Sequence, residues 1–468
     1  MTDSHDIVIL GSGSTAFAAA LRAQSLGARV AMIEKSALGG TCINWGCIPS
    51  KTLIHTALFR REAHLGKQVG LGLSDTGIDY SMLTQYKEKV VQHLRQTRYL
   101  DILQNVPGLT LIKGTGRFLD SRTIAVEDRR ISCEKFLVAT GGFPRIIEIP
   151  GLHETDYLTS RNALLLKTIP RSLIVIGGGV IALEMGQMYQ RLGCRVTVLE
   201  HGPRILPGIE MEPVEALNQA LIAEGMRIEV KAAVCSMRKS GDQTVLQVET
   251  GGRREELAAE RVLLAVGTAP ASSDIGLEEA GVEIDEKGFV KVDEMMRTTA
   301  SGIWAAGDVT GGMMIATVGA REGIVAVDNM LNPECACRMD YLSAPMAIFT
   351  DPEVGMVGLT EAAAISAGHD VVCNTIPVSA IPKAHVTGQT AGAIKMVADR
   401  NTGRILGVHL SCYRGSELIN EAALAVRCKL TTQELANAMH VYPSMSEGLR
   451  LCAQGFSRDI SKLSCCAE

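Results

Sequence analysis

Asp6-Ile7-Val8-Ile9-Leu10-Gly11-Ser12-Gly13-Ser14-Thr15-Ala16 runs an apolar segment straight into G-x-G-x-x-A and then into an Ala-rich helical pattern. A buried strand, closely spaced glycines and a helix start let the backbone approach a pyrophosphate, whose charge meets the positive end of the helix. A second apolar run, Arg29 to Ile33, ends in Glu34, roughly 20 residues beyond the glycines, where an acid binds a ribose hydroxyl. Gly11, Gly13, Ala16 and Glu34 are the candidate contacts of a first dinucleotide.

The same phrase recurs further along. Ser172 to Ile176 is strand-like, Gly177-Gly178-Gly179-Val180-Ile181-Ala182 is the turn, and Arg195 to Leu199 leads into Glu200. One G-x-G-x-x-A is a weak signal. Two copies, each with its strand, helix and terminal acid, predict an α/β protein with two Rossmann-like dinucleotide-binding domains, the second centred on Gly177, Gly179, Ala182 and Glu200. Phe136 to Gly141 and Val262 to Gly267 are strand-then-glycine endings of the two units, and Gly302-Ile303-Trp304-Ala305-Ala306-Gly307-Asp308 is a third. Leu53 to Leu103 reads as mostly helical. After about Tyr341 the chain turns to strands with Pro-containing turns, then to helices from Ser416, as in a separate α+β domain. The expected boundaries are 1–150 and 273–340 for the first dinucleotide domain, 151–272 for the second, and 341–468 for the C-terminal domain.

A chain of 468 residues accommodates roughly three such domains. Lys plus Arg is 46 against 51 for Asp plus Glu, with no block of like charge, so nothing tracks a nucleic-acid backbone. No apolar run approaches the ~20 residues needed to span a bilayer, and the N-terminus passes from polar residues directly into the first strand. A cytoplasmic protein without a membrane partner or targeting segment is expected.

Of the 13 cysteines, most are scattered singly and read as inert thiols. Cys335 and Cys337 are close in sequence but have no His or Cys partner at ligand spacing. Two other pairs stand apart. Cys42 and Cys47 lie in Gly39-Gly40-Thr41-Cys42-Ile43-Asn44-Trp45-Gly46-Cys47-Ile48-Pro49-Ser50-Lys51, a spacing from which two thiols can form a disulfide or bind one soft metal, with Lys51 placed to favour thiolate. Cys465 and Cys466 are adjacent near the C-terminus, in Ser464-Cys465-Cys466-Ala467-Glu468.

The segment from Gly39 to Lys51 resembles the redox motif of the flavin-dependent pyridine nucleotide–disulfide oxidoreductases, and the resemblance covers essentially the whole chain. It implies that the first Rossmann domain holds FAD, the second NAD(P)H, and the C-terminal domain a homodimer interface. It further implies flavin contacts from Gly40, Thr41, Lys51, Gly116, Thr140, Gly141, Asp308 and Ala316, a nucleotide contact from Gly267, and an acid, Glu184, paired with Lys51. Cys47 would be the thiolate nearest the flavin and Cys42 the exchange thiol.

Disulfide reductases of this family carry His-Pro-x-x-x-Glu, whose His moves a proton to the leaving thiolate across the dimer interface. Here the aligned segment is Tyr442-Pro443-Ser444-Met445-Ser446-Glu447, so Glu447 is retained and Tyr442 replaces the His. With an ordinary pKa near 10, a Tyr is a poor proton shuttle but an adequate oxygen ligand. His440, two residues upstream, is not expected to substitute. Tyr442 together with Cys465 and Cys466 resembles the mercuric reductase branch, and so implies Hg(II), delivered as a thiol complex, as the metal held by Cys465, Cys466, Cys42 and Cys47 and reduced to Hg(0). A flavin disulfide reductase of lipoamide dehydrogenase or thioredoxin reductase type is the alternative. No separate N-terminal metal-capture domain with its own C-x-x-C is read in the sequence, so mercury is expected directly from cellular thiols or another carrier. The branch implies NADPH, whereas Glu200 favours NADH, with Arg204 near enough in sequence to offset it.

Overall fold

The computed structural model describes residues 5–73 and 77–462. Cys465 and Cys466 lie outside the described residues. The chain gathers into two compact units, the first from residues 1–147, 158–168 and 266–339, the second from 148–157, 169–265 and 340–468.

In the first unit, the strand Ile7–Leu10 pairs in parallel with Val30–Glu34 on one side and Phe136–Val138 on the other. Leu109–Lys113 and Ile303–Ala305 extend this sheet at its two edges. Ile7 to Leu10 are all buried, the continuous apolar run of a parallel strand covered on both faces. The first Rossmann helix, Ser14–Ser25, buries Ala16, Ala19, Ala20 and Ala23 against the helix Ala316–Leu331. These helices nearly touch, because a Cβ at Gly323 would stand 2.6 Å from the Thr15 carbonyl oxygen. The predicted helical stretch is realised as Cys47–Gln68 and Tyr80–Arg95, followed by a π-helical turn at Gln96–Leu100.

In the second unit, Ser172–Ile176 pairs in parallel with Arg195–Glu200 and Arg261–Leu264, and Arg227–Val230 joins beyond Arg195–Glu200. A three-stranded antiparallel sheet, Ala232–Ser240, Gln243–Thr250 and Arg253–Ala259, is inserted before Arg261–Leu264. The C-terminal part is an antiparallel sheet ordered Met346–Ile348, Glu353–Gly358, Ile405–Cys412, Ala393–Asp399, Val371–Pro377. The helices Gly415–Arg427 and Glu447–Gln454 cover it through Leu418, Ile419, Ala422 and Leu449. The second Rossmann segment and the C-terminal α+β segment thus belong to one compact unit, a grouping the sequence did not reveal. No helix among the described residues is long and apolar enough to cross a membrane.

Candidate active site

Both fingerprint turns take the form their residues dictate. Gly11 has φ 112°, and a Cβ there would stand 2.3 Å from the Ala139 carbonyl oxygen, so only glycine lets the first strand leave the sheet at this point. The helix Ser14–Ser25 starts from Gly13, and no side chain caps its first amides, which leaves that helix end available to an anion. Gly179 starts the helix Val180–Arg191 in the same uncapped way.

The terminal acids are already engaged. Glu34 accepts from the Ser12 hydroxyl at 2.6 Å and the Ser36 amide at 2.7 Å. Glu200 accepts from the Gly178 and Gly202 amides, both at 2.5 Å, and so ties the second turn to the loop after its strand. Arg204 turns inward and donates to the carbonyls of Pro207 at 2.6 Å and Ile209 at 2.8 Å.

The redox segment is folded onto the first turn. Gly40, φ 65°, lies against Gly13, where an added Cβ would come within 2.6 Å of the Gly13 Cα. Cys42 sits on the short helix Gly40–Asn44 and Cys47 opens the long helix Cys47–Gln68, which carries Lys51 one turn in. Both are half-buried thiols. The Cys42 thiol is pushed far above its ordinary range, first by its hydrogen bond with Cys47, then by burial and by the charge of Cys47, with Lys51 offsetting part of this. Cys42 therefore keeps the proton of the pair.

Several side chains that sequence reasoning missed shape this segment. Asn44 donates to the carbonyls of Leu38 and Gly40, both at 2.9 Å, and accepts from Arg95 at 3.2 Å. The Arg161 guanidinium lies 4.9 Å from the centre of the Trp45 ring. Tyr99, on the π-helical turn, packs edge-on to Phe17 at 4.6 Å, and its pKa is raised, chiefly by burial. A π-turn of this kind, frequent at functional sites, has no sequence signature in this chain.

An FAD fits the first unit. The Thr140 hydroxyl oxygen is buried with no hydrogen-bond partner among the described residues, between the strand Phe136–Val138 and Gly141. Asp308 begins the turn after Ile303–Ala305, and burial, then Glu322, raises its pKa. Glu322, also missed in the sequence, is buried and accepts from the Gly307 amide at 2.7 Å. Ala316 is the first residue of its helix, which likewise lacks a side-chain cap. Gly116 opens the strand Gly116–Asp120, packed against Ile33 and Ile124. Thr41 is exposed beside Cys42.

In the second unit, Ala182 and Glu184 are buried on the helix Val180–Arg191. Glu184 accepts from the Phe349 amide at 2.9 Å. Gly267 lies in the first unit, at φ 109° with open space where a Cβ would be. Tyr442 is 47% exposed. Glu447 is buried and accepts from the Ser444 amide at 3.4 Å. His440 is held by Glu421 at 2.7 Å and by the Ala438 carbonyl at 3.0 Å.

Residues 5–323 match the family described as pyridine nucleotide-disulphide oxidoreductase, and residues 344–453 match its dimerisation domain. Among similar proteins is a mercuric reductase of Staphylococcus aureus, 38% identical over 463 residues, covering 99% of this chain and 84% of that protein. One from Acidithiobacillus ferrooxidans is 39% identical, covering 98% of this chain and 84% of that protein. One from Streptomyces lividans is 34% identical, covering 99% and 98% respectively. A solved structure of the HOCl-induced flavoprotein disulfide reductase RclA from Escherichia coli, a Cu(II) complex, is 31% identical with a TM-score of 0.86, covering 97% of this chain and 99% of that one.

Proposed function

The chain belongs to the pyridine nucleotide-disulphide oxidoreductases, and we propose that it is an FAD-dependent mercury(II) reductase acting on Hg(II) presented as a thiol complex. The overall change is NAD(P)H plus Hg(II) to NAD(P)+, one proton and Hg(0). Bound FAD supplies the two-electron relay between nicotinamide and metal.

The chain's own residues hold and hand on the metal. Cys42, which keeps its proton beside Cys47, is the exchange thiol: it gives up that proton as it bonds to Hg(II), and the proton leaves with the displaced external thiolate. Two soft thiolates suit a soft two-coordinate ion, and exchange never sets it free in water. Cys465 and Cys466 of the partner subunit make the first capture in this reading.

The observation that carries mercury rather than a disulfide as substrate is Tyr442, exposed where a disulfide reductase needs its His. Glu447 is turned to the Ser444 amide, and His440 is occupied by Glu421. Tyr442 then acts as an oxygen donor beside the incoming metal. A flavin disulfide reductase is the second reading, favoured by the likeness to RclA.

For the nucleotide, the engaged Arg204 supports NADH over NADPH. Its Nη2 is held by two loop carbonyls while its Nη1 is buried without a partner among the described residues, and an acid at the position of Glu200 repels a 2′-phosphate.

The test is anaerobic turnover of the FAD-bound protein with NADH and with NADPH, on Hg(II) held by excess thiol, following nucleotide oxidation and Hg(0) release. The expected result is Hg-dependent oxidation, faster with NADH and abolished in Cys42→Ala. In parallel, wild-type protein should leave glutathione, lipoamide and thioredoxin disulfides unreduced, whereas Tyr442→His gains such activity. Brisk disulfide reduction by the wild type, with inhibition by Hg(II), would overturn the reading.

A further inference from the structure

Cys335 and Cys337 stand outside the site described above. The structure pairs them, with their Cα atoms 5.2 Å apart. In an extended strand, residues two apart lie about 6.7 Å from one another. The chain is shortened here by Ala336, which adopts the left-handed conformation at φ 44°, ψ 39°.

The loop is also held from beneath. Asn329, buried on the helix Ala316–Leu331, accepts from the Cys337 amide at 3.0 Å and donates to the Cys337 carbonyl at 2.8 Å. It donates as well to the carbonyls of Val325 at 3.0 Å and Met295 at 3.3 Å, so three segments share one amide. The Cys335 amide donates to the Asn332 carbonyl at 3.0 Å. Cys335 itself is exposed. The result is a pair of cysteines on a loop whose backbone the fold fixes, Cys335 exposed and Cys337 half-buried against the core of the first unit.

The choice of ligand follows from the donor set. No group of three or more His, Cys, Asp or Glu side chains poised for a metal occurs among the described residues, so this pair offers two sulfurs and nothing else. Zinc in a structural site takes four ligands and hard cations take oxygen. A soft ion content with two thiolates is the match.

We propose that Cys335 and Cys337, in their reduced form, are a second dithiol site that takes Hg(II) from external thiols. This rests on the reading of the chain as a mercury reductase. Cellular monothiols reduce the paired form: two thiols become one disulfide, and the protein gains two thiol hydrogens. Capture is then ligand exchange without change of oxidation state. Two protein sulfur–mercury bonds form, two external ones break, and the protons of Cys335 and Cys337 pass to the departing thiolates.

The test uses FAD-bound protein reduced with excess monothiol, desalted anaerobically and given Hg(II) as its bis-thiol complex without nucleotide. Native mass spectrometry counts mercury per chain, and peptide mapping scores protection of Cys335 and Cys337 from iodoacetamide. Cys335→Ser/Cys337→Ser should bind one Hg(II) fewer per chain than wild type while keeping its flavin absorbance, with Cys335→Ser alone as a milder variant. In wild type, mercury should protect both thiols. An unchanged count, or full alkylation in the presence of Hg(II), would overturn the site. Turnover is read separately after NADH or NADPH is added to the same samples: mercury held by the pair with no Hg(0) released from wild type would refute the reductase reading and leave the site intact.

Discussion

Cys42 holds its proton because a second sulfur stands beside it, and its chemistry depends on its neighbour more than on its own burial. The hydrogen bond with Cys47 is the largest cause of its raised pKa, ahead of desolvation. Cys47→Ser replaces a group that can be charged by one that stays neutral near pH 8. The Cys42 pKa should then fall toward its ordinary value of about 8.5, so that its thiolate appears at lower pH. In reduced protein, the pH midpoint for alkylation of Cys42, followed on its own peptide, should move down in Cys47→Ser relative to wild type. An unmoved or higher midpoint would mean that burial alone sets its proton affinity. Turnover on Hg(II) should be lost in the same variant by roughly 10³-fold or more, because one sulfur cannot hold the two-coordinate metal.

Three elements of the second unit meet at a single ammonium. Lys395, on the strand Ala393–Asp399, contacts Glu210 at 3.0 Å and Glu212 at 3.0 Å around the start of the helix Met211–Ala223, and Glu361 at 2.8 Å at the start of Glu361–Ser366. Burial alone would lower the Lys395 pKa, but the bonds to Glu361, Glu210 and Glu212 outweigh it and raise it. For Glu210, burial works to raise the pKa, and the Glu361 amide and Lys395 bring it below the ordinary value. A depressed carboxylate contributes stability above its unfolded pKa of about 4.3 that is lost as pH falls through the lower folded value; the raised Lys395 contribution is fully present below about 10.4 and lost only above it. Lys395→Met leaves the Glu210 carboxylate enclosed without its cation and should cost about 3 kcal/mol at neutral pH, read from urea midpoints. The loss should shrink as the pH falls through the carboxylate range and Glu210 takes up a proton. Equal stability of both proteins at pH 7 would show the cluster to be incidental. Such a junction has no local sequence signature, since Glu210, Glu361 and Lys395 are far apart in the chain. What was legible were features written within a few residues: both glycine turns, their strands and acids, the redox segment, and the change of character after Tyr341. Hidden were the groups that act at long range, such as Glu322 beneath Gly307, Asn329 beneath Cys337, and the inward turn of Arg204.

At the scale of the whole molecule, the exposed segment around Tyr442 sets the argument. Met439 is 99% exposed and Val441 78%, two apolar side chains on the stretch that leads into Tyr442. Residues 344–453 match a dimerisation domain, which places this segment within a region built for a second copy. If each centre combines Cys42 of one chain with Cys465 and Cys466 of the other, two differently damaged chains can repair one another. Cys42→Ala homodimers lack the exchange thiol at both centres. Homodimers of Cys465→Ala/Cys466→Ala, assayed with mercury held by a bulky dithiol, lack the capturing pair at both. Unfolded together and refolded in equal amounts, the two chains associate at random, and half of the dimers are mixed. Each mixed dimer has one centre with both defects and one with neither, so the mixture should recover about a quarter of wild-type turnover. Recovery near zero, with mixed dimers verified by mass spectrometry, would mean that each chain carries its own complete centre, and the apolar segment at Met439 and Val441 would then serve assembly alone.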